Sequence, residues 1–115
     1  MTQKAKIADI ENRWNAAEAG ALLAAETTND HHDPAYQSAE QLAEGLWKEF
    51  VAEIESLRRE TGNCEDELYN VYAEEYRRSF PERFASVNDA HLLAMHNADQ
   101  ARDLHLVFLY RNGEI

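Results

Sequence analysis

The sequence predicts an all-α chain, a compact bundle of four main helices forming a single helical domain over residues 1–115. Three observations carry that prediction. Only four glycines and two prolines punctuate the chain, so few points force the backbone out of a helix. Its long stretches are rich in Ala, Leu, Glu, Gln and Arg, the residues that lose least on entering a helix. Apolar residues recur at steps of three and four, which lays them along one side of a helix turning about 100° per residue. The apolar share of 44% is that of an ordinary globular chain, and the length supplies one core rather than two.

The first helix is expected over 4–26, where Ile7, Ile10, Trp14, Ala17, Ala21 and Ala24 form a narrow apolar stripe. Its alanine-rich second half favours close approach to a neighbouring backbone. Residues 27–33 end it, because Thr, Asn and Asp side chains offer the backbone competing bonds. Asp33-Pro34 then reads as N-cap and first helical residue of the second helix, 34–61. This is the element on which the others are expected to pack. Tyr36, Ala39, Ala43, Leu46, Phe50, Ile54 and Leu57 mark one side, and Leu42, Trp47 and Val51 widen it to about half the circumference.

Gly62 suits a left-handed C-terminal cap, and Asn63 is the expected N-cap of the third helix, 64–80. Glu65, Asp66 and Glu67 fall in its first turn, where the helix dipole favours anions. An aromatic stripe follows in Tyr69, Tyr72, Tyr76 and Phe80, and Pro81 breaks the helix. A short helical turn is expected near 81–85. Ser86, with Asp89 three residues on, resembles a capping box for the fourth helix, 88–110. Its inner side is read as Ala90, Ala94, Asn97, Ala101, Leu104 and Phe108. The apolar run 104–110 also fits a buried strand, but nothing else in the chain offers a strand to pair with it.

The net charge of -11 excludes direct nucleic-acid binding, which needs a basic footprint. All of the excess is local. Between Trp14 and Trp47 there are six acids and no Lys or Arg, and between Glu60 and Tyr76 there are again six acids and no base. With no base interspersed, the helix-surface acids of 40–44 and 65–75 are expected to lack i,i+4 partners. The lone Cys64 excludes an internal disulfide. No apolar run spans a bilayer and the first ten residues lack a signal-like apolar core, so a soluble, cytoplasmic chain without a membrane partner is expected.

Chemistry-bearing patterns are sparse. His31-His32-Asp33 has ligand residue types but too few of them for a tetrahedral site, and a polar, solvated loop ending in a helix cap is the preferred reading. His91, His96 and His105 share the fourth helix at spacings that prevent a joint metal site. Asn97 on an apolar stripe fits a register-setting core amide. The thiol of Cys64 is followed by three acids that raise its pKa, which argues against a catalytic thiolate. No nucleophile elbow or phosphate loop occurs. Accordingly no catalytic residue, metal or cofactor is assigned, and a non-enzymatic protein is expected.

The first functional expectation is a small acidic protein that docks on a basic protein surface, with a nuclease or other nucleic-acid-binding protein as partner. In size and charge the chain resembles, at the level of a class, the nucleic-acid mimics among phage and mobile-element proteins: anti-restriction, anti-CRISPR and nuclease-immunity inhibitors. The residues assigned to partner binding are Glu40, Glu44, Glu65, Asp66, Glu67, Glu74 and Glu75, with Tyr69 as an aromatic anchor. The alternative is a homodimeric structural or adaptor subunit joined through the apolar surplus of the fourth helix, at Leu92, Met95, Leu106 and Tyr110. A third reading is a metal-binding bundle using His31 and His32.

Overall fold

In a computed structural model, which describes residues 2–28, 33–80 and 86–115, the chain forms four helices among the described residues. They are α1 (Gln3–Thr28), α2 (Pro34–Thr61), α3 (Glu65–Ser79) and α4 (Val87–Arg111). No strand occurs among the described residues, and 104–110 is helix. The all-α class and the four helices are those expected, with ends displaced by no more than two residues. The turn expected near 81–85, and His31 and His32, lie outside the described residues.

The helix ends follow local chemistry. The Thr2 hydroxyl accepts the Ala5 N–H at 3.1 Å and starts α1 earlier than the apolar stripe implied. Asp33 caps α2 as expected, its carboxylate accepting the Ala35 N–H at 2.8 Å. Gly62 closes α2 with φ 72°, its N–H donating to the Arg58 carbonyl at 2.8 Å. Asn63, the expected cap of α3, does not fill that place. Cys64 stands there instead, in the left-handed region at φ 64° and with no side-chain cap bond. That conformation costs a non-glycine residue on the order of 1–2 kcal/mol. The three acids of the first turn supply the stabilisation that a capping side chain usually gives. At α4 the Ser86 hydroxyl accepts the Asp89 N–H at 3.1 Å, as the capping box required.

The chain divides within α2 into two compact units, Met1–Glu53 and Ile54–Ile115. In the first unit α1 and α2 run antiparallel, since partners on α2 fall in number as those on α1 rise. Lys6 Nζ meets Glu53 at 3.0 Å, and Arg13 meets Glu49 at 3.8 Å. The Trp14 and Trp47 rings lie 5.0 Å apart, and Ala17 packs with Ala43 and Leu46. Phe50 is fully buried and stacks on Trp14 at 6.4 Å.

In the second unit α3 packs antiparallel on α4, tied by the Tyr76 hydroxyl to His91 Nδ1 at 2.7 Å and by His105 Nε2 to Glu67 at 2.8 Å. Leu68 of α3 is buried, as are Ala90, Ala94, Ala98, Leu106, Val107 and Leu109 of α4. This corrects the inner side expected for α4. The two stripes share Ala90 and Ala94 and then diverge, and Leu104 and Phe108 are left 61% and 56% exposed. Spacing alone did not choose between them. Burying Ala98 desolvates nothing polar, whereas turning the amide of Asn97 inward carries a desolvation penalty.

Candidate binding site

The region richest in functional side chains is the junction in the second unit of the end of α2, the start of α3 and the middle of α4. At its centre is Glu55, whose carboxylate accepts four hydrogen bonds from three guanidinium groups. Arg58 donates through Nη2 at 2.7 Å and Nε at 3.1 Å, Arg59 through Nε at 3.1 Å, and Arg102 through Nη2 at 3.0 Å. Arg58 is only 7% exposed and also donates to the Asn63 carbonyl at 3.5 Å, tying the α2–α3 turn to the cluster.

Burial by itself would push the Glu55 carboxyl up. The hydrogen bonds from Arg58 and Arg102 outweigh it and hold the group down at about 2. Arg58 is raised in turn, first by its hydrogen bond to Glu55 and against the effect of its own burial. One turn before it, Ile54 and Phe50 occupy the same side of α2, so Arg58 extends an apolar i,i+4 series. An arginine in that phase, three residues after a glutamate, was the available sequence signal for the cluster, and Leu57 was read there instead.

Beside the cluster is a cleft of about 510 Å³. Its lining combines Glu55, Arg58, Arg59, Arg102, Glu65 and Asp99 with Leu68, Tyr69 and Tyr72. Burial, then Asp99 and Tyr76, push the Tyr72 hydroxyl up. Asp103, the next acid along α4, is also raised, mainly by burial, with Arg102 opposing and Asp99 and Glu55 adding to it.

The acids assigned to partner binding belong to both units. Glu40 and Glu44 belong to the first unit, and Glu65, Asp66, Glu67, Glu74 and Glu75 to the second. Glu65, Asp66 and Glu74 are exposed, and no ion pair among the described residues engages them. Tyr69, at 69% exposure, stands one helical turn after Glu65 and Asp66, and Glu74 lies on another side of α3. The expectation that these acids lack i,i+4 partners fails at Glu44, and two others find partners of another kind. Glu44 pairs with Lys48 at 3.3 Å, Glu67 with His105, and Glu75 with Arg78, while Ser79 also donates to Glu75 at 3.0 Å. Lys48 and Arg78 sit just past the base-free stretches, one helical turn from their acids, and α4 brings His105 from elsewhere in the sequence.

Of the residues assigned to a dimer interface, Leu106 is a correction: it is fully buried in the second unit and belongs to its core. Tyr110 and Met95 are half-buried, and Leu92 is exposed. The exposed apolar side of α4 is instead Leu93, Leu104 and Phe108. In the first unit an apolar groove of about 440 Å³ is lined by Ala16, Ala17, Gly20, Ala39, Leu42 and Leu46.

Cys64 has its thiol pushed up, by burial first and then by Glu67 and Glu114, with Arg58 opposing. A reactive thiolate is disfavoured there. Among the described residues no group of three or more potential ligands is placed to hold a metal ion, and no helix is long and apolar enough to cross a membrane. No protein-family model, curated protein or solved structure matches the chain.

Proposed function

We propose that this chain is a small, acidic, non-enzymatic binding protein that docks on a basic protein surface through the first half of α3. The observation that carries this reading is the exposed Tyr69 one helical turn after Glu65 and Asp66, two exposed carboxylates without ion-pair partners among the described residues. An aromatic anchor within unpaired charge is the composition of a docking hot spot. Carboxylates held on one helix resemble a row of phosphates, so the target we favour is the cationic groove of a nuclease or another nucleic-acid-handling protein. The chain then acts as an inhibitor of the nucleic-acid-mimic type.

The test is capture of host proteins at low salt by the intact protein, with stepwise salt elution, beside a variant carrying Glu65→Lys and Asp66→Lys. A nucleic-acid-binding protein held by the parent, released by moderate salt and by added DNA, and not held by the variant is the expected outcome. Equal capture by the variant refutes this face.

A second reading, a homodimeric structural subunit, has its own observation: the exposed Leu93, Leu104 and Phe108 on α4. It predicts a salt-insensitive dimer by analytical ultracentrifugation that Leu104→Glu with Phe108→Glu converts to folded monomer. Leu106 is not the residue for that experiment, because changing it breaks the core.

A further inference from the structure

We propose that the cleft at the α2–α3–α4 junction binds a small dipolar ligand, an α-amino acid with an aromatic side chain. The cleft is lined by charges of both signs, and part of each is left unpaired. Glu55 takes one guanidinium nitrogen from each of Arg59 and Arg102, and the terminal nitrogens of Arg59 and the Nε and Nη1 of Arg102 have no acceptor among the described residues. Glu65 and Asp99 line the same cleft, and neither forms an ion pair with any of these arginines. Asp99 lies three residues before Arg102 on α4, a spacing that allows pairing, yet Arg102 is turned to Glu55 at 3.0 Å.

This arrangement selects on charge. An anion gains from Arg59 and Arg102 but is repelled by Glu65 and Asp99, and a cation meets the reverse. Only a ligand carrying both charges gains from both sets, its carboxylate from a guanidinium nitrogen left without an acceptor and its ammonium from Glu65 or Asp99. Tyr69, Tyr72 and Leu68 supply an apolar wall against which a flat ring stacks. The volume of about 510 Å³ accommodates a molecule of that size. The ligand is distinct from the protein partner proposed above, and the test requires no partner.

Three probes separate the two charges. L-phenylalanine carries both charges, L-phenylalaninamide only the positive one and N-acetyl-L-phenylalanine only the negative one. Each is titrated into the purified full chain, followed by the NMR signals of the Tyr69 and Tyr72 rings. The expected result is saturable binding of L-phenylalanine at least tenfold tighter than either relative. Arg59→Gln and Asp99→Asn should each weaken it at least tenfold, with helix content by circular dichroism unchanged because both side chains are exposed. No saturable binding of L-phenylalanine overturns the proposal. So does equal or tighter binding of either singly charged probe, or affinity unchanged in both variants.

Discussion

The two units carry nearly the same excess of acid but are stabilised by different chemistry. Residues 1–53 hold four bases against ten acids, and residues 54–115 hold seven against twelve. Among the described residues of the first unit every buried side chain is apolar, with Ile7, Ile10 and Phe50 fully inside, and the ion pairs Lys6–Glu53 and Arg13–Glu49 lie at the surface. Such pairs contribute about 0–1 kcal/mol. In the second unit the charges go inward: Glu55 is 13% exposed and Arg58 7%, with Arg102 drawn onto the same carboxylate. Net charge therefore says little about what holds a unit together. The location of the pairs decides which unit responds to pH and to the loss of one charge.

The sharpest test of that contrast is Glu55→Gln. It leaves the buried Arg58 and the half-buried Arg102 without their anion, a change that costs about 3–5 kcal/mol when one partner of a buried pair is removed. Amide hydrogen exchange along α3 and α4 should accelerate accordingly. Trp14 and Trp47 both lie in the first unit, so their fluorescence reads that unit alone. Its denaturation midpoint should stay put. A tryptophan midpoint that falls together with the α3–α4 protection would mean that the units unfold as one cooperative body, and the contrast would be lost.

Acid should separate the units next. Glu55 falls from an ordinary 4.5 to about 2 on folding. A depressed carboxyl stabilises the fold above its unfolded value, and that contribution is lost as pH falls through the window from about 4.5 to about 2. The loss is on the order of 3 kcal/mol. Asp103 runs the other way. Its raised carboxyl takes up a proton more readily in the folded state, so its contribution improves as pH falls and is lost as pH rises through its folded value. Asp103→Asn should therefore stabilise the second unit at neutral pH. Urea midpoints between pH 5 and pH 2.5 should fall further for α3–α4 protection than for tryptophan fluorescence. Parallel decline of the two would remove Glu55 as the cause.

What the sequence conveyed divides along the same line. The first unit is held by apolar periodicity, and Ile7, Ile10, Ala17, Ala43, Leu46 and Phe50 were all legible because spacing and burial coincide there. The second unit depends on choices that spacing cannot make. α4 is apolar around much of its surface, so two stripes competed, and the losing one left Leu104 and Phe108 outside. The cluster at Glu55 joins residues 47 apart in sequence through Arg102, and no local pattern announces that pairing. The acidic excess was correctly located, yet Lys48, Arg78 and His105 engage three of the acids from just past the base-free stretches or from another helix. Nothing local in the sequence announced the cleft that Tyr69 and Glu65 line.

The smallest expected effect comes from glycine, and it runs in opposite directions in the two units. Gly20 lies inside α1, and a Cβ there would meet nothing within 4 Å. Replacing it by alanine adds helix propensity without a clash, so Gly20→Ala should stabilise the first unit by up to about 1 kcal/mol. Gly62 of the second unit also has open space around it, but its φ of 72° is one that an L side chain resists. Gly62→Ala should destabilise by roughly 1–2 kcal/mol. The pair of variants asks whether backbone conformation or packing decides at these sites, read as a rise in the tryptophan midpoint for one and a fall in α3–α4 protection for the other. Loss of stability in Gly20→Ala would show that the groove lined by Ala16, Ala39 and Leu42 is filled in solution, because only an occupant would meet the added methyl.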